Sequence, residues 1–434
     1  MAASRREHEV VIVGAGPAGI AAGITATRFG LDAVVIDRAR FPRDKTCGDG
    51  LTTGALRALE HLGFDVRALP SYVRITETVL VSPAGRHISL PLPSPDRGEF
   101  AGVVPRAELD AALVTHARAL GVNVREGVRV TDATVDDDQV VLTLDDGAST
   151  LAARHVIAAD GHYSAVRRLL VLDNSDFLTI DRGPTRRSVR KSEGGVGEND
   201  LGTWHAFRQY FSGVHDPRLW VVFDADLLPG YAWVFPVGGG RANVGFGVLR
   251  ADRSFDGHHD APSGKRLAAL WRDLLERKVM RDILGPNAEP EGTRRAWPIP
   301  ASFDASRLAH GRVLFAGDAA HVVDPMTGEG IAQALDSGML AARAVARHAT
   351  PEQIASRYRR DVDRHLGSDL RFAGTLQRIL SSRIGAETAI GAAALTPWTR
   401  RNFARWMFED YPRAALFTPR RWRAGMFTEP GAYL

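Results

Sequence analysis

The periods of apolar and polar positions change along this chain in an order that suggests an architecture. Residues 10–13 form an uninterrupted apolar run, the pattern of a strand covered on both faces. Residues 17–29 carry small and apolar side chains at helical spacing, and residues 33–36 are a second apolar run. Strand, helix and strand in that order predict a β-α-β unit with a right-handed crossover. Residues 140–144 and 151–157 are strand-like and flank Asp145-Asp146-Gly147, a hairpin signal. Residues 312–316 are another buried run, followed by a glycine-marked turn and a helix from about Gly330.

The middle of the chain has a different texture. Residues 203–249 hold aromatic and β-branched runs separated by glycine turns, which predicts a mostly antiparallel sheet. Residues 172–200 are polar, densely charged with both signs and Gly-rich in their second part, the composition of a mobile loop. From residue 351 onward the pattern is helical. Parallel-sheet elements at both ends of a long stretch imply an α/β fold with a discontinuous Rossmann-like domain, an inserted, mostly antiparallel β-sheet domain and a C-terminal helical region. The expected division is residues 1–75, 100–172 and 296–350 for the first, 76–99 with 173–295 for the second, and 351–434 for the third.

Composition narrows the class. At 434 residues, 44% hydrophobic and 24% charged, the chain has the make-up of a globular protein large enough for two or three domains. A single Cys excludes a disulfide framework and a Cys-rich metal site, and fits a reducing cytoplasm. The N-terminal residues run directly into the first strand with no separate apolar core and cleavage site, so no signal peptide is expected. Residues 10–27 are uncharged, yet four glycines and a proline interrupt them at offsets that suit a phosphate-binding turn better than a membrane span. The net charge of +4 resides in residues 400–434, which hold seven Arg and three acids, so nucleic-acid binding is not indicated.

The first chemical motif is Gly14-Ala15-Gly16-Pro17-Ala18-Gly19. Gly14 permits a tight turn, Gly16 lets the backbone approach a pyrophosphate, and Gly19 permits close helix–strand contact. The helix start beyond it offers unpaired N–H groups and the positive end of its dipole to phosphates. Asp37 closes the next strand, followed by Arg38, where a carboxylate can accept hydrogen bonds from a ribose. Together these indicate dinucleotide binding without distinguishing FAD from NAD.

Later motifs make that distinction by resemblance. Asp160-Gly161 with Ser164 and Arg167 resembles the Asp-Gly motif of flavoprotein hydroxylases and their relatives. Gly317-Asp318-Ala319-Ala320-His321, then Pro325 and Gly328-Glu329-Gly330-Ile331, resembles their Gly-Asp motif, and residues 104–110 with Arg106 resemble their arginine-bearing segment. The resemblance implies FAD, with Arg106 reaching it and Asp318 holding its ribityl chain. The helix starting near Gly330 would aim N–H groups at the flavin pyrimidine edge, which gains negative charge on reduction.

Lys45-Thr46-Cys47-Gly48-Asp49-Gly50-Leu51, Gly230-Tyr231-Ala232-Trp233-Val234-Phe235-Pro236, Ala242-Asn243-Val244-Gly245-Phe246-Gly247 and the run 205–211 together resemble the geranylgeranyl reductase family, which saturates double bonds in prenyl chains. Alternation places Tyr231, Trp233 and Phe235 on one sheet face, where they can wall an apolar substrate cavity, close a domain core, or do both. Near the predicted flavin, Cys47 reads either as a catalytic residue or as an inert small hydrophobe. Asp49 reads either as a proton donor or as a turn cap.

Two features depart from that family. His321 stands where those reductases usually have Gly and is commoner in flavin hydroxylases, so it is a candidate substrate contact and keeps a monooxygenase reading open beside reduction. The charged stretch 172–200 looks like an insertion. Flavin-dependent halogenases share the Trp-bearing strand but carry Gly-Glu-Ser in place of the Cys-Gly segment. No second GxGxxG in a β-α-β setting is present, so electrons would come from visiting NADPH or NADH, or from a reduced ferredoxin or flavin carrier. The tail mixes aromatics (Trp398, Phe403, Trp406, Phe408, Tyr411, Phe417, Trp422) with arginines. That mixture suits either a helical cap or peripheral contact with an anionic membrane; Pro412 and Pro419 favour the cap.

Overall fold

The N-terminal apolar run becomes a central strand of an eight-stranded sheet. In the computed structural model, which describes residues 8–147, 149–170, 203–249, 264–347, 349–417, 422 and 424–434, His8–Val13 pairs in parallel with Ala33–Asp37 on one side and Thr150–Ala158 on the other. Asn123–Glu126 and Val313–Phe315 extend the parallel sheet outward. Val10, Val11 and Ile12 are fully buried because helices cover both faces of such a sheet. The helix Pro17–Arg28 starts with Pro in its first turn, where no N–H is needed, and packs against Ile331–Val345. Val140–Leu144 pairs antiparallel with Thr150–Ala158 and with Val130–Val135, a three-strand meander on the same sheet.

The second sheet has seven strands in the order Glu289–Ile299, Trp204–Ser212, Arg241–Leu249, Tyr231–Pro236, Leu219–Val222, Glu77–Val81, His87–Pro91. Its neighbours are antiparallel except Leu219–Val222 with Glu77–Val81, which are parallel. The strand Glu289–Ile299 crosses the expected boundary at 295/296 without interruption, held by pairing of Trp204 with Ile299 and Ala206 with Trp297. One face of this sheet packs Phe207, Val234 and Phe246 against Trp271 and Met280 of two short helices. The other packs Leu80, Leu219 and Val221 with Ile390, Ala404 and Phe408 of the C-terminal helices. Gly50–Thr52, Ala101–Val103 and Val73–Arg74 form a small third sheet.

The C-terminal region is the helices Pro351–Val362, Ser368–Leu380, Arg383–Ala393 and Pro397–Met407, with a π-helical turn Asp363–Gly367 between the first two. Thr350 and Thr396 each cap the helix after them with their hydroxyl, and Pro occupies the next position. Of the tail aromatics, Trp406, Phe408 and Tyr411 are buried, as a helical cap requires, whereas Trp398 and Trp422 are exposed. Among the described residues, no helix is long and apolar enough to cross a membrane; residues 10–27 are divided between strand and helix. The charged stretch 172–200 lies outside the described residues.

Candidate functional site

A cavity of about 720 Å³ opens where the first strand ends and runs between the two large sheets. Its floor is the glycine turn. Gly14 adopts φ +104°, and a Cβ there would lie 2.3 Å from the Ala159 carbonyl oxygen, so only glycine fits. A Cβ on Gly19 would lie 1.7 Å from the Gly14 carbonyl oxygen, which keeps the helix tight against the turn although Gly19 itself does not line the cavity. Gly16, Pro17 and Ala18 do line it, and no side chain caps this helix, so its first N–H groups remain for a ligand. Asp37 lines the wall beside Arg38; its Oδ2 accepts from Ala15 N at 2.7 Å and its Oδ1 from Ala39 N at 2.7 Å, which ties the turn to the second strand.

Further along the wall stand Asp160, Gly161, Gly317, Asp318, Gly328, Gly330 and Ile331. Asp160 Oδ2 accepts from Ala165 N at 2.7 Å, while its Oδ1 is buried without a hydrogen-bond partner. Burial pushes the Asp160 carboxyl above the ordinary carboxylate range. Lys45 Nζ lies 3.4 Å from Asp318 Oδ2 and 4.3 Å from the Trp297 ring centroid; burial holds the Lys45 ammonium below its ordinary pKa, against the pull of Asp318. Gly330 begins the helix Ile331–Val345, whose first N–H, that of Ile331, is taken by the Glu329 carboxyl at 2.9 Å.

The far end of the cavity is aromatic and apolar. Tyr231, Trp233 and Phe235 line it from one face of their strand, with successive ring centroids 6.1 Å apart. Gly48 and Gly50 lie against the Phe235 ring from the opposite side. Cys47 lines the same space next to Arg106. Burial pushes the Cys47 thiol up to about 11, outweighing the Arg106 charge, so it is a neutral thiol at neutral pH. Arg106 is itself buried and held by two bonds of 2.9 Å to Asp110, which also takes Arg43 at 3.0 Å.

Three expected contacts are placed elsewhere. Asp49 is fully buried beneath the cavity wall, at φ +66°, and is not a lining residue. Its carboxylate accepts from Tyr210 Oη (2.7 Å), Asn243 Nδ2 (2.7 Å) and Arg106 N (3.1 Å). These bonds join the Cys-Gly loop to the second sheet. His321 also stands off the cavity: its Nδ1 meets Ser302 Oγ at 2.9 Å, and burial beside Arg167 and His162 lowers its pKa to about 3, so it is neutral. Pro325 is buried behind the loop and does not line the cavity.

Two residues without an assigned role in the sequence turn out to organise the site. Asn243 is fully buried; besides Asp49 it donates to the Cys47 carbonyl at 2.8 Å and accepts from Trp233 Nε1 at 3.0 Å. A lone amide inside the apolar run Ala-Asn-Val-Gly-Phe was the available signal. Glu329, between two glycines ahead of a helix, lines the cavity and accepts from Ile331 N at 2.9 Å. Burial and the neighbouring Glu409 raise its pKa to about 7, a carboxyl that holds its proton through much of the neutral range.

A second cavity of about 200 Å³ adjoins the first and shares Gly50, Tyr231, Phe235, Met326, Thr327 and Glu329 with it. Its remaining wall is Leu80, Leu219, Val221 and Phe223 of the second sheet facing Leu376, Leu380, Ala389, Ile390 and Phe403 of the C-terminal helices. At its inner end Arg413 pairs with Asp324 at 2.9 Å and Glu409 at 3.3 Å, a buried ion cluster that ties the tail to the loop before Ile331–Val345.

Comparison with known proteins agrees with this arrangement. The family model described as "FAD binding domain" matches residues 7–182 and 257–365, more than half of the chain. A menaquinone reductase of Mycolicibacterium smegmatis is 34% identical over 77% of this chain and 75% of its own length. A digeranylgeranylglycerophospholipid reductase of Methanopyrus kandleri is 27% identical over 90% of both chains. The crystal structure of a geranylgeranyl bacteriochlorophyll reductase-like protein from Thermoplasma acidophilum superposes with a TM-score of 0.73, at 20% identity, over 96% of this chain and 99% of that one, a likeness of fold. The chain is therefore an FAD-dependent oxidoreductase and belongs to the geranylgeranyl reductase family.

Proposed function

We propose that this enzyme saturates a carbon–carbon double bond in the isoprenoid chain of an apolar substrate, a menaquinone or a prenyl lipid. The observation that carries the reading is an apolar chamber that adjoins the larger, polar-floored cavity and shares Tyr231, Phe235 and Glu329 with it. The larger cavity fits FAD. The uncapped helix start at Gly16–Ala18 suits its pyrophosphate, Asp37 and Arg38 its adenosine ribose, and the unpartnered Asp160 oxygen offers a buried acceptor. Gly161, Asp318, Gly328, Gly330 and Ile331 lie where they would hold the rest.

Bound FAD, once reduced, supplies a hydride equivalent. The chain's own part is to hold the alkene, exclude water and provide a proton. Tyr231 and Phe235 form the throat, and Tyr231 Oη is fixed by donation to the Thr327 carbonyl. Trp233 is fixed by Asn243, and the neutral Cys47 thiol lines the same cavity as a small group. Glu329 replaces Asp49 as the proton donor, because its carboxyl is both protonated near pH 7 and inside the cavity. The displacement of His321 from the cavity takes away the feature that favoured oxygenation. The sequence carries one GxGxxG in a β-α-β setting, which supports a visiting electron donor: NADPH, NADH, or a reduced ferredoxin or flavin carrier.

One anaerobic turnover tests the reading. Chemically reduced holoenzyme is mixed with a menaquinone or a geranylgeranyl lipid, and the product is weighed by mass spectrometry. A gain of two hydrogens without oxygen is expected. Product that forms only after air is admitted, with one oxygen added, would overturn reduction in favour of a monooxygenase.

A further inference from the structure

Ten large hydrophobic side chains are exposed among the described residues, and four of them, Ile379, Ile384, Leu395 and Trp398, fall within residues 379–398. Three of these are strongly exposed: Ile384 by 80%, Leu395 by 76% and Trp398 by 63%. They belong to one helix and its flanks. Arg383–Ala393 turns Ala386, Ile390 and Ala393 inward, and Ala389 and Ile390 form part of the apolar chamber's wall. Its outward stripe is Ile384, Thr388 and Ala392, at helical spacing, continued by Leu395 beyond the helix end, and it carries no charge. Glu387, the helix's lone acid, points to the flank, where it accepts from Arg86 and from Ala84 N.

The chain on both sides of the stripe is rich in arginine. Residues 375–408 hold five arginines and one acid. Arg405 is buried against Asp410, and Glu387 is engaged, which leaves Arg378, Arg383, Arg400 and Arg401 exposed on either side of the stripe. Ile379 both stands in this patch and lines the chamber beside Leu376 and Leu380. The apolar surface outside is therefore continuous with the apolar space inside.

We propose that this face docks on an anionic lipid bilayer, with Ile384, Leu395 and Trp398 entering the interface and the arginines meeting the headgroups. The chamber entrance at Ile379 then meets the hydrocarbon, and an isoprenoid chain passes from bilayer to chamber without crossing water. The docking itself stands on exposure and charge; the passage of substrate rests on the function proposed above.

The test is flotation of the FAD-loaded protein with vesicles. Wild-type protein floats with phosphatidylcholine vesicles containing one third phosphatidylglycerol, less so in high salt and little with phosphatidylcholine alone. Arg383→Gln with Arg401→Gln lowers the partition coefficient on the anionic vesicles about thirtyfold, at about a tenfold loss per 1.4 kcal/mol and about 1 kcal/mol per charge. Ile384→Asp with Trp398→Asp abolishes flotation while a detergent-dispersed substrate is still reduced. Brominated acyl chains quench part of the wild-type tryptophan fluorescence, and Trp398→Phe floats but loses that quenching. Wild-type protein that stays with the soluble fraction, or double variants that float undiminished, would overturn docking. So would a wild-type dimer that Ile384→Asp turns into a monomer, since the face would then cover a second copy. Failure of the anaerobic turnover with flotation intact would refute the substrate reading alone.

Discussion

Replacing Asn243 with Leu is the most informative single perturbation of this molecule. Leu keeps the branching and the number of heavy atoms, though it is bulkier, and removes three hydrogen bonds at once, those to Asp49 Oδ2 (2.7 Å), to the Cys47 carbonyl (2.8 Å) and from Trp233 Nε1 (3.0 Å). Asn243 is fully buried, so no water replaces it. Each partner left without a bond costs about 1–3 kcal/mol, more for a carboxylate. Asp49 keeps Tyr210 and the Arg106 N–H, which softens its share. The expected loss is about 3–6 kcal/mol, a large part of the ~5–15 kcal/mol that holds a typical protein folded. Urea unfolding with FAD saturating measures it, and an unchanged m-value shows that the unfolded state is the same. Tyr210→Phe, which removes one of the Asp49 bonds, costs about 1–3 kcal/mol. In the double variant the losses are non-additive by about 0.5 kcal/mol or more, because both act through one carboxylate. None of these bonds touches the glycine turn or Asp37, so FAD affinity stays near wild type while reduction of the substrate slows. A loss below about 1 kcal/mol for Asn243→Leu would refute the network as the element that holds loop and sheet together.

Three other outcomes follow from the same geometry. Glu329 has its pKa raised from 4.5 to about 7 in the folded chain, so the folded state keeps a proton that the unfolded state releases; its contribution to stability is greatest at low pH and falls as pH rises from 4.5 to 7, by about 3 kcal/mol. The urea-stability difference between wild type and Glu329→Gln should change by that amount over that window, and a flat difference rejects the buried, protonated carboxyl. Alkylation of Cys47 by iodoacetamide should still be climbing with pH well past the ordinary thiol value of 9.0, toward about 11; a plateau near 9 would show that Arg106 wins over burial. Gly14→Ala forces a side chain into φ +104° and against the Ala159 carbonyl, so stability should fall by at least about 2 kcal/mol, with loss of bound FAD read from the visible spectrum.

Which parts of the molecule were legible in its sequence follows from the range of the forces involved. The β-α-β unit was readable because apolar runs and glycine spacing are local, and His8–Val13, Pro17–Arg28 and Ala33–Asp37 start and stop within two residues of where the pattern predicts. The alternation of Tyr231, Trp233 and Phe235 was readable for the same reason: a pleated strand leaves no other arrangement. The end of the second sheet was not. Residues 289–295 carry no apolar alternation, and they are strand because Trp204–Ser212 offers them a ladder. The chamber under the C-terminal helices was equally hidden, since its walls come from residues 80, 219–223 and 376–403, which no local pattern relates.

Asp49 and Glu329 could not be told apart from the sequence for a common reason. Both are acids beside glycines near the predicted flavin, and the sequence offers no means of telling a carboxylate that faces a cavity from one that faces a sheet. The difference is set by partners far away in the chain. Tyr210 and Asn243 reach Asp49 and leave it accepting three hydrogen bonds, each of which opposes protonation even as burial favours it. Burial raises the Glu329 carboxyl too, and there the like charge of Glu409 adds to it, against the backbone N–H groups of Ile331 and Gly330 and the charge of Arg106. A proton donor needs a bound proton and a path to the substrate. Asp49 has no opening onto the cavity, and Glu329 has both. It follows that Asp49→Asn should act mainly on stability and on the position of Cys47, with its effect tracking that of Tyr210→Phe. Glu329→Gln should instead leave the fold intact at neutral pH and lower the rate of substrate reduction. If Asp49→Asn reduced substrate normally at full stability, or Glu329→Gln turned over at the wild-type rate, the assignment of these two carboxyls would have to be exchanged or abandoned.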